Sequence, residues 1–244
     1  MIDILTKLKD DEQYYGAFGK QYLSNSDIGT LLNNPMDFRK PQEDNVNFHK
    51  GRYFHHLILE PEKAEATVFA DIGSRNTKAY KQLLEDSGEE IIMLEKEAQE
   101  IRNCVTAMMR NFDFHNGIRQ EGNEYEVPMI KEIQGMMWKG KADIVCTDKL
   151  IDLKTTGGSL SEFKWSARKY NYDSQCYIYG ELFQKPLVFY VVNKTNQMLG
   201  IYEPSAEFIE RGRNKVTEAI KVYNKFFSEE SEFNINDYYV NEIL

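Results

Sequence analysis

The sequence predicts an α/β fold forming one domain over residues 1–244. A mainly helical N-terminal section, 1–115, leads into a mixed sheet flanked by helices, 116–244. Three observations carry that prediction. Leu94, Ala98, Ile101, Val105 and Met108 recur at steps of three and four, the period of an amphipathic helix. The run 136–156, MMWKGKADIVCTDKLIDLKTT, alternates with period two on either side of the polar turn Thr147-Asp148-Lys149, as a hairpin does. Pro186 opens the most apolar stretch, LVFYVVN (187–193). A turn at 194–197, a second strand and a helical pattern from 205 to 227 follow it.

Taken in order, residues 1–23 are polar, with Tyr14, Tyr15, Phe18 and Tyr22 as anchors. Ser24-Asn25-Ser26-Asp27 is a helix start, and Asn33-Asn34-Pro35 ends that helix. Residues 48–59, FHKGRYFHHLIL, read as a largely buried helix ended by Glu60-Pro61, and 75–111 as helical. A strand at 124–130, EYEVPMI, precedes the hairpin. Beyond it Gly157-Gly158 breaks the strand and SLSEFKWSARKYNY forms a short helix and approach loop. A helix over 173–183 places Gln175 and Tyr179 one turn apart on one face.

The bulk composition narrows the class. A chain of 244 residues, 41% hydrophobic with 15 Tyr and 14 Phe, can bury a substantial core. No apolar run approaches the roughly 20 residues that span a bilayer, and the N-terminus lacks the pattern of a signal peptide. Three widely spaced cysteines (Cys104, Cys146, Cys176) fit a reducing, cytoplasmic compartment and speak against zinc or an iron–sulfur cluster. A net charge of −9 counts against a general nucleic-acid coat protein. Yet residues 131–169 hold eight Lys/Arg against five acids, as a confined DNA groove would.

Within that segment, period two places Asp152 and Lys154 on one strand face, and Asp143 lies nine residues upstream on the partner strand. Two carboxylates and an ammonium converging at a hairpin end make a divalent-metal site with a charged neighbour, as phosphodiester hydrolysis requires. Asp-x-Lys alone is the pattern of a solvated ion pair; Asp143 is what sharpens it. Glu124 and Glu126 share a strand face, and either is a candidate further ligand. His55 and His56 adjoin on their helix and cannot both face one way; a buried histidine satisfied by a backbone carbonyl is the default, and one of the pair as a ligand is the sharper alternative.

Together these pieces resemble the PD-(D/E)xK nuclease superfamily and, within its RecB-like branch, the RecE-type and lambda-exonuclease-like phage exonucleases. The acid, spacer and acid-x-Lys of the superfamily match Asp143, Asp152 and Lys154, with Ala142 where the proline stands. The branch's Gly-x-x-x-His matches Gly51 to His55, selecting His55 over His56, and its Gln-x-x-x-Tyr matches Gln175 and Tyr179. The segments GRYFHHLILEPE, GMMWKGKAD and YDSQCYIY extend the likeness over residues 20–240.

The resemblance implies a restriction-endonuclease-like core. It also implies Mg²⁺ or Mn²⁺, one or two ions, held by Asp143, Asp152, the Leu153 carbonyl, Glu126 (in preference to Glu124) and His55. Lys154 would orient the attacking water. Gln175, Tyr179, Lys141, Lys164 and Arg168 would contact the substrate. It further implies 5′→3′ digestion of double-stranded DNA ends and 3′ single strands for a single-strand annealing protein. A ring-shaped homo-oligomer in the cytoplasm of a bacterial or phage-infected cell completes the expectation. The rival readings are an endonuclease or CRISPR-adaptation-type nuclease, and an inactive nuclease-like DNA- or protein-binding module.

Overall fold

Side-chain acceptors set the helix starts along the chain. The computed structural model describes residues 2–41 and 43–241. Helix α1 (Ile2–Lys9) is followed by α2 (Asp11–Tyr15), whose Asp10 cap accepts from the Gln13 amide at 2.9 Å. Ser24 and Asp27 form a capping box at the head of α3 (Asn25–Asn33). Asn45 caps α4 (Val46–Leu59), and Pro61 opens α5 (Pro61–Glu65). Thr77 caps α6 (Lys78–Ser87). Next come α7 (Glu95–Arg110) and α8 (Phe112–Arg119), the latter capped by Asn111.

Two strands of two residues, β1 (Phe69–Ala70) and β2 (Met93–Leu94), pair in parallel beside α6. Strand β2 interrupts the stretch 75–111 that the sequence predicts as helical, and both strands are too short for any period to show. Helix α8 was also unassigned from sequence, since eight residues carry only two buried positions, Phe114 and Ile118.

The main sheet has the order β3-β4-β5-β6-β7. Strands β3 (Glu124–Ile133) and β4 (Met136–Val145) form a hairpin around Gln134 and Gly135, both with positive φ, a turn that follows the twist of the strands. Strand β5 (Leu150–Thr156) pairs antiparallel with β4 and parallel with β6 (Leu187–Asn193). A parallel pair needs a long crossover, here α9 (Phe163–Lys169) and α10 (Tyr172–Phe183). Strand β7 (Leu199–Tyr202) and α11 (Ala206–Phe226) follow. All seven residues of β6 are buried, as a strand covered on both faces should be. This mixed sheet flanked by helices is the fold class the sequence predicts.

One face packs Ile144, Ile151, Leu153, Val188, Tyr190 and Val192 against apolar residues of α4, α7 and α8. The other packs Trp138, Ala142, Leu150, Phe189 and Val191 under α3, α9, α10 and α11. Cys104, Cys146 and Cys176 are buried and unpaired. No described helix is long and apolar enough to cross a membrane.

Helices α10 and α11 approach closely at Gly212, where an added Cβ would sit 2.0 Å from the Asp173 carbonyl oxygen. Backbone cannot yield as a flexible side chain does. Gly212→Ala is therefore expected to lower the stability measured by urea denaturation by about 1–3 kcal/mol. An unchanged midpoint would refute the close approach.

Candidate active site

The strand ladders break where the acidic residues meet. Strand β3 pairs with β4 in one continuous register, Tyr125 with Ile144 and Val127 with Ala142; Glu126, which falls opposite Asp143, is the unpaired position between them. Strand β4 pairs with β5 at Val145–Leu150 and Ile144–Ile151, and pairing stops where Asp143 would face Asp152. One residue of β4 thus has an acid across from it on either side.

Both breaks coincide with a change of face. Ala142 packs in the layer beneath α9 and α10, whereas Ile144 packs in the layer beneath α4 and α7, although simple alternation places them together. Glu126 has φ +50°, a left-handed conformation that is strained for a residue with a side chain. The left-handed residue on β3 and the change of face on β4 thus fall at one level of the hairpin, where the regular alternation expected of it fails.

Asp143 Oδ2 accepts from the Leu153 amide at 2.7 Å and lies 3.0 Å from His55 Nε2. His55 Nδ1 donates to the Gly51 carbonyl at 2.8 Å, one turn back on α4, which leaves Nε2 directed at the site. Asp152 is buried; its Oδ1 accepts from Gln175 Nε2 at 2.5 Å, and its Oδ2 lies 2.6 Å from Lys154 Nζ. Among the described residues that ammonium is the one partner of the buried Oδ2. The Lys154 ammonium also sits 4.9 Å from the centre of the Tyr172 ring.

The electrostatics follow from three acids facing two cations. Burial works against charge on Asp143, but His55 and Lys154 outweigh it and hold its carboxyl below the usual range. Burial, reinforced by Asp143, keeps Asp152 above that range despite Lys154. Burial and the Asp143 charge push Glu126 up to about 8. Burial opposes charge on His55 too, yet Asp143 raises it to about 9. Lys154 is raised as well, Asp152 overcoming the cost of burial, so it remains an ammonium.

Asp143, Asp152, Lys154, His55, Gln175 and the Leu153 backbone therefore meet at one place, with Glu126 opposite Asp143. Glu126 makes no hydrogen bond or ion pair among the described residues, while Glu124 is exposed opposite Val145. His56 makes no side-chain hydrogen bond there, and burial holds its imidazole below the usual value.

Other expected substrate contacts have internal partners. Gln175 supports Asp152, and the Tyr179 hydroxyl donates to the Lys141 carbonyl at 3.1 Å. Lys141 is buried and pairs with Asp11 at 2.7 Å, an arrangement that nothing in the spacing of the N-terminal residues announces. Lys164 and Arg168 lie exposed on α9, and neither side chain bonds to the acids among the described residues. Arg52, which no motif in the sequence singles out, is exposed on α4 three residues before His55 and free of hydrogen bonds and ion pairs among the described residues. Its i,i+3 spacing from His55 was the available signal.

Fold and site define a domain of the PD-(D/E)xK type. A family model described as PDDEXK-like domain of unknown function (DUF3799) matches residues 31–234, and the chain belongs to that family. Among solved structures, the chain is similar to a candidate exonuclease from Eubacterium rectale. That likeness has a TM-score of 0.62 and 15% identity, over 96% of this chain and 95% of that one. A weaker likeness, to the crystal structure of SSO0001, has a TM-score of 0.39 and 15% identity over 95% and 88% of the two chains. No curated protein matches the chain.

PDDEXK nucleases generally use divalent metal ions. Among the described residues no three His, Cys, Asp or Glu side chains stand as a ready-made cage. Asp143 and Asp152 instead hold the nearest cations of the protein, His55 and Lys154. The donors nevertheless suit a hard cation: carboxylate oxygens, a backbone carbonyl and one imidazole, with a buried Asp152 oxygen that already faces a positive charge.

The surplus acid gives a pH signature. A carboxyl raised from 4.5 to about 8 favours the folded state while protonated. Its contribution is intact below the unfolded value and is lost as pH rises through about 8. In EDTA, Glu126→Gln should therefore gain stability relative to wild type between pH 5 and 8.5, on the order of 1–2 kcal/mol. A pH-independent difference in thermal or urea unfolding would contradict this.

Proposed function

We propose that the chain is one nuclease domain, a divalent-metal-dependent deoxyribonuclease that digests linear duplex DNA from its ends. The observation that carries this reading is Asp143 flanked in register by Glu126 and Asp152 at two broken ladders, with Lys154 2.6 Å from Asp152. Family membership supports a nuclease, and the Eubacterium rectale candidate exonuclease supports action from ends. The 5′→3′ direction, the release of 3′ strands to an annealing protein, a ring-shaped oligomer and a cytoplasmic setting rest on the sequence resemblance alone.

Asp143, Asp152, Glu126, the Leu153 carbonyl and His55 Nε2 would hold Mg²⁺ or Mn²⁺. When bound, such an ion lowers the pKa of a coordinated water and neutralises charge on phosphate oxygens. Lys154, kept cationic, is not a general base at neutral pH. It donates to the attacking water or to a phosphate oxygen as negative charge builds there. Gln175 fixes the Asp152 carboxylate, and the Gly51 carbonyl fixes the His55 ring. Arg52, one turn from His55, is an unengaged cation for a neighbouring phosphate.

A linear duplex labelled at its 5′ or 3′ end, incubated with Mg²⁺ or Mn²⁺ and with EDTA, tests the proposal against a closed circle. Metal-dependent early release of the 5′ label with the circle intact is expected. Cutting of the circle would replace the proposal with an endonuclease, and inertness with every divalent metal would overturn it.

Asp152→Ala and Lys154→Ala should each lower the rate by about 10²-fold or more while the far-UV dichroism is unchanged. His55→Ala should cost far more activity than His56→Ala. The reverse order would show that the wrong histidine was assigned.

A further inference from the structure

Helix α9 carries chemistry that hydrolysis does not use. Phe163 and Ala167 turn into the core, which leaves Lys164, Trp165, Arg168 and Lys169 outward. From Phe163 to Tyr172 the chain FKWSARKYNY has three cations and no acid, within a protein of net charge −9. Trp165 is 58% exposed, and its ring lies between Lys164 Nζ at 5.3 Å and the Arg168 guanidinium at 5.1 Å. Tyr170, 57% exposed, has Lys169 Nζ 5.7 Å from its ring.

A single exposed aromatic is ordinary. Two of them, each set among cations on one short segment, form the pattern of single-strand binding surfaces, where rings stack on bases and cations follow the phosphates.

The segment is also tied to the nuclease site. Phe163 packs 5.9 Å from Tyr172, and Tyr172 lies under the Lys154 ammonium at 4.9 Å. Tyr170 is 6.2 Å from Tyr172, so one half-buried ring separates Lys154 from an exposed one. A duplex presents its phosphates but, except at its two ends, keeps the faces of its bases stacked inside. Unpaired nucleotides offer Trp165 and Tyr170 the face of every base.

We infer that α9 binds single-stranded DNA beside the cut, with Trp165 and Tyr170 stacking on unpaired bases and Lys164, Arg168 and Lys169 contacting the phosphates. The position of this platform takes its meaning from the nuclease reading, but its binding can be measured without cleavage.

The chain has two tryptophans, and the other, Trp138, is fully buried. Emission from the exposed indole therefore reports on this surface. The full chain in EDTA is titrated with an oligothymidylate of about 15 nucleotides, within the range of single-strand sites, and with a blunt duplex of equal length. The oligothymidylate should quench wild-type emission, whereas Trp165→Phe should leave the remaining Trp138 signal unresponsive. Measured by anisotropy of a labelled oligothymidylate, Trp165→Ala should weaken binding at least about five-fold, the low end for one stacked base. Lys164→Ala with Arg168→Ala should flatten the salt dependence.

Absence of quenching, wild-type affinity in Trp165→Ala, or equal quenching by the blunt duplex would each overturn the inference. Its failure is separable from failure of the proposed function. Cleavage of duplex ends with no role for Trp165 would remove only the platform. Trp165-dependent binding with no cleavage by any metal would remove only the nuclease.

Discussion

The structure turns on the repulsion among Asp143, Asp152 and Glu126. Carboxylates on adjacent strands destabilise a ladder, and here the ladder gives way on both sides of β4. The break between β4 and β5 frees backbone that the site then uses: the Leu153 amide turns to Asp143 Oδ2. His55 and Lys154 reduce the surplus charge, each drawn to a different acid. The two helical layers exchange the strand they cover at this same point, which lets α4 and α10 reach the acids from opposite faces.

Support for the acids reaches deep into the fold. Gln175 holds Asp152 only because α10 lies against the sheet, and α10 is held in turn by α11. The buried Asp173 at its start receives Arg211 at 2.7 Å and Lys215 at 2.9 Å. A charge taken fully out of water costs several kcal/mol unless it is paired, and these two cations prevent that cost. The close approach at Gly212 stands beside this pair, so packing and charge act on one spot. Elsewhere on the sheet Lys139 and Lys141 point from β4 toward Tyr14, their charges covered by α1 and α2.

Much of the sheet could be read from the chain because its signals are local. Alternation marks β4 and β5, the apolar run marks β6, and capping residues mark α3 and α11. The convergence of Asp143, Asp152 and Lys154 follows from parity and a short turn, so it too was legible. The partner of Lys141 was not, because Asp11 lies 130 residues away and carries no pattern of its own. Nor was the change of face at Asp143, since alternation assumes a regular strand and Glu126, at the same level, holds a positive φ. Gln175 and Tyr179 share a helix face as expected, yet sequence spacing could not tell support of an acid from contact with a substrate.

The parallel pairing of β5 with β6 also governs when the site comes into being. His55 and Asp143 are 88 residues apart, and the Asp152–Gln175 contact lies across a crossover that closes only when β6 adds to β5. Long-range pairings of this kind form late, after loop closure has been overcome. A chain leaving the ribosome with Lys154 just exposed has its acids but neither α10 nor β6 to hold them. Assembly of the charged pocket therefore waits until α10 and β6 have also been made.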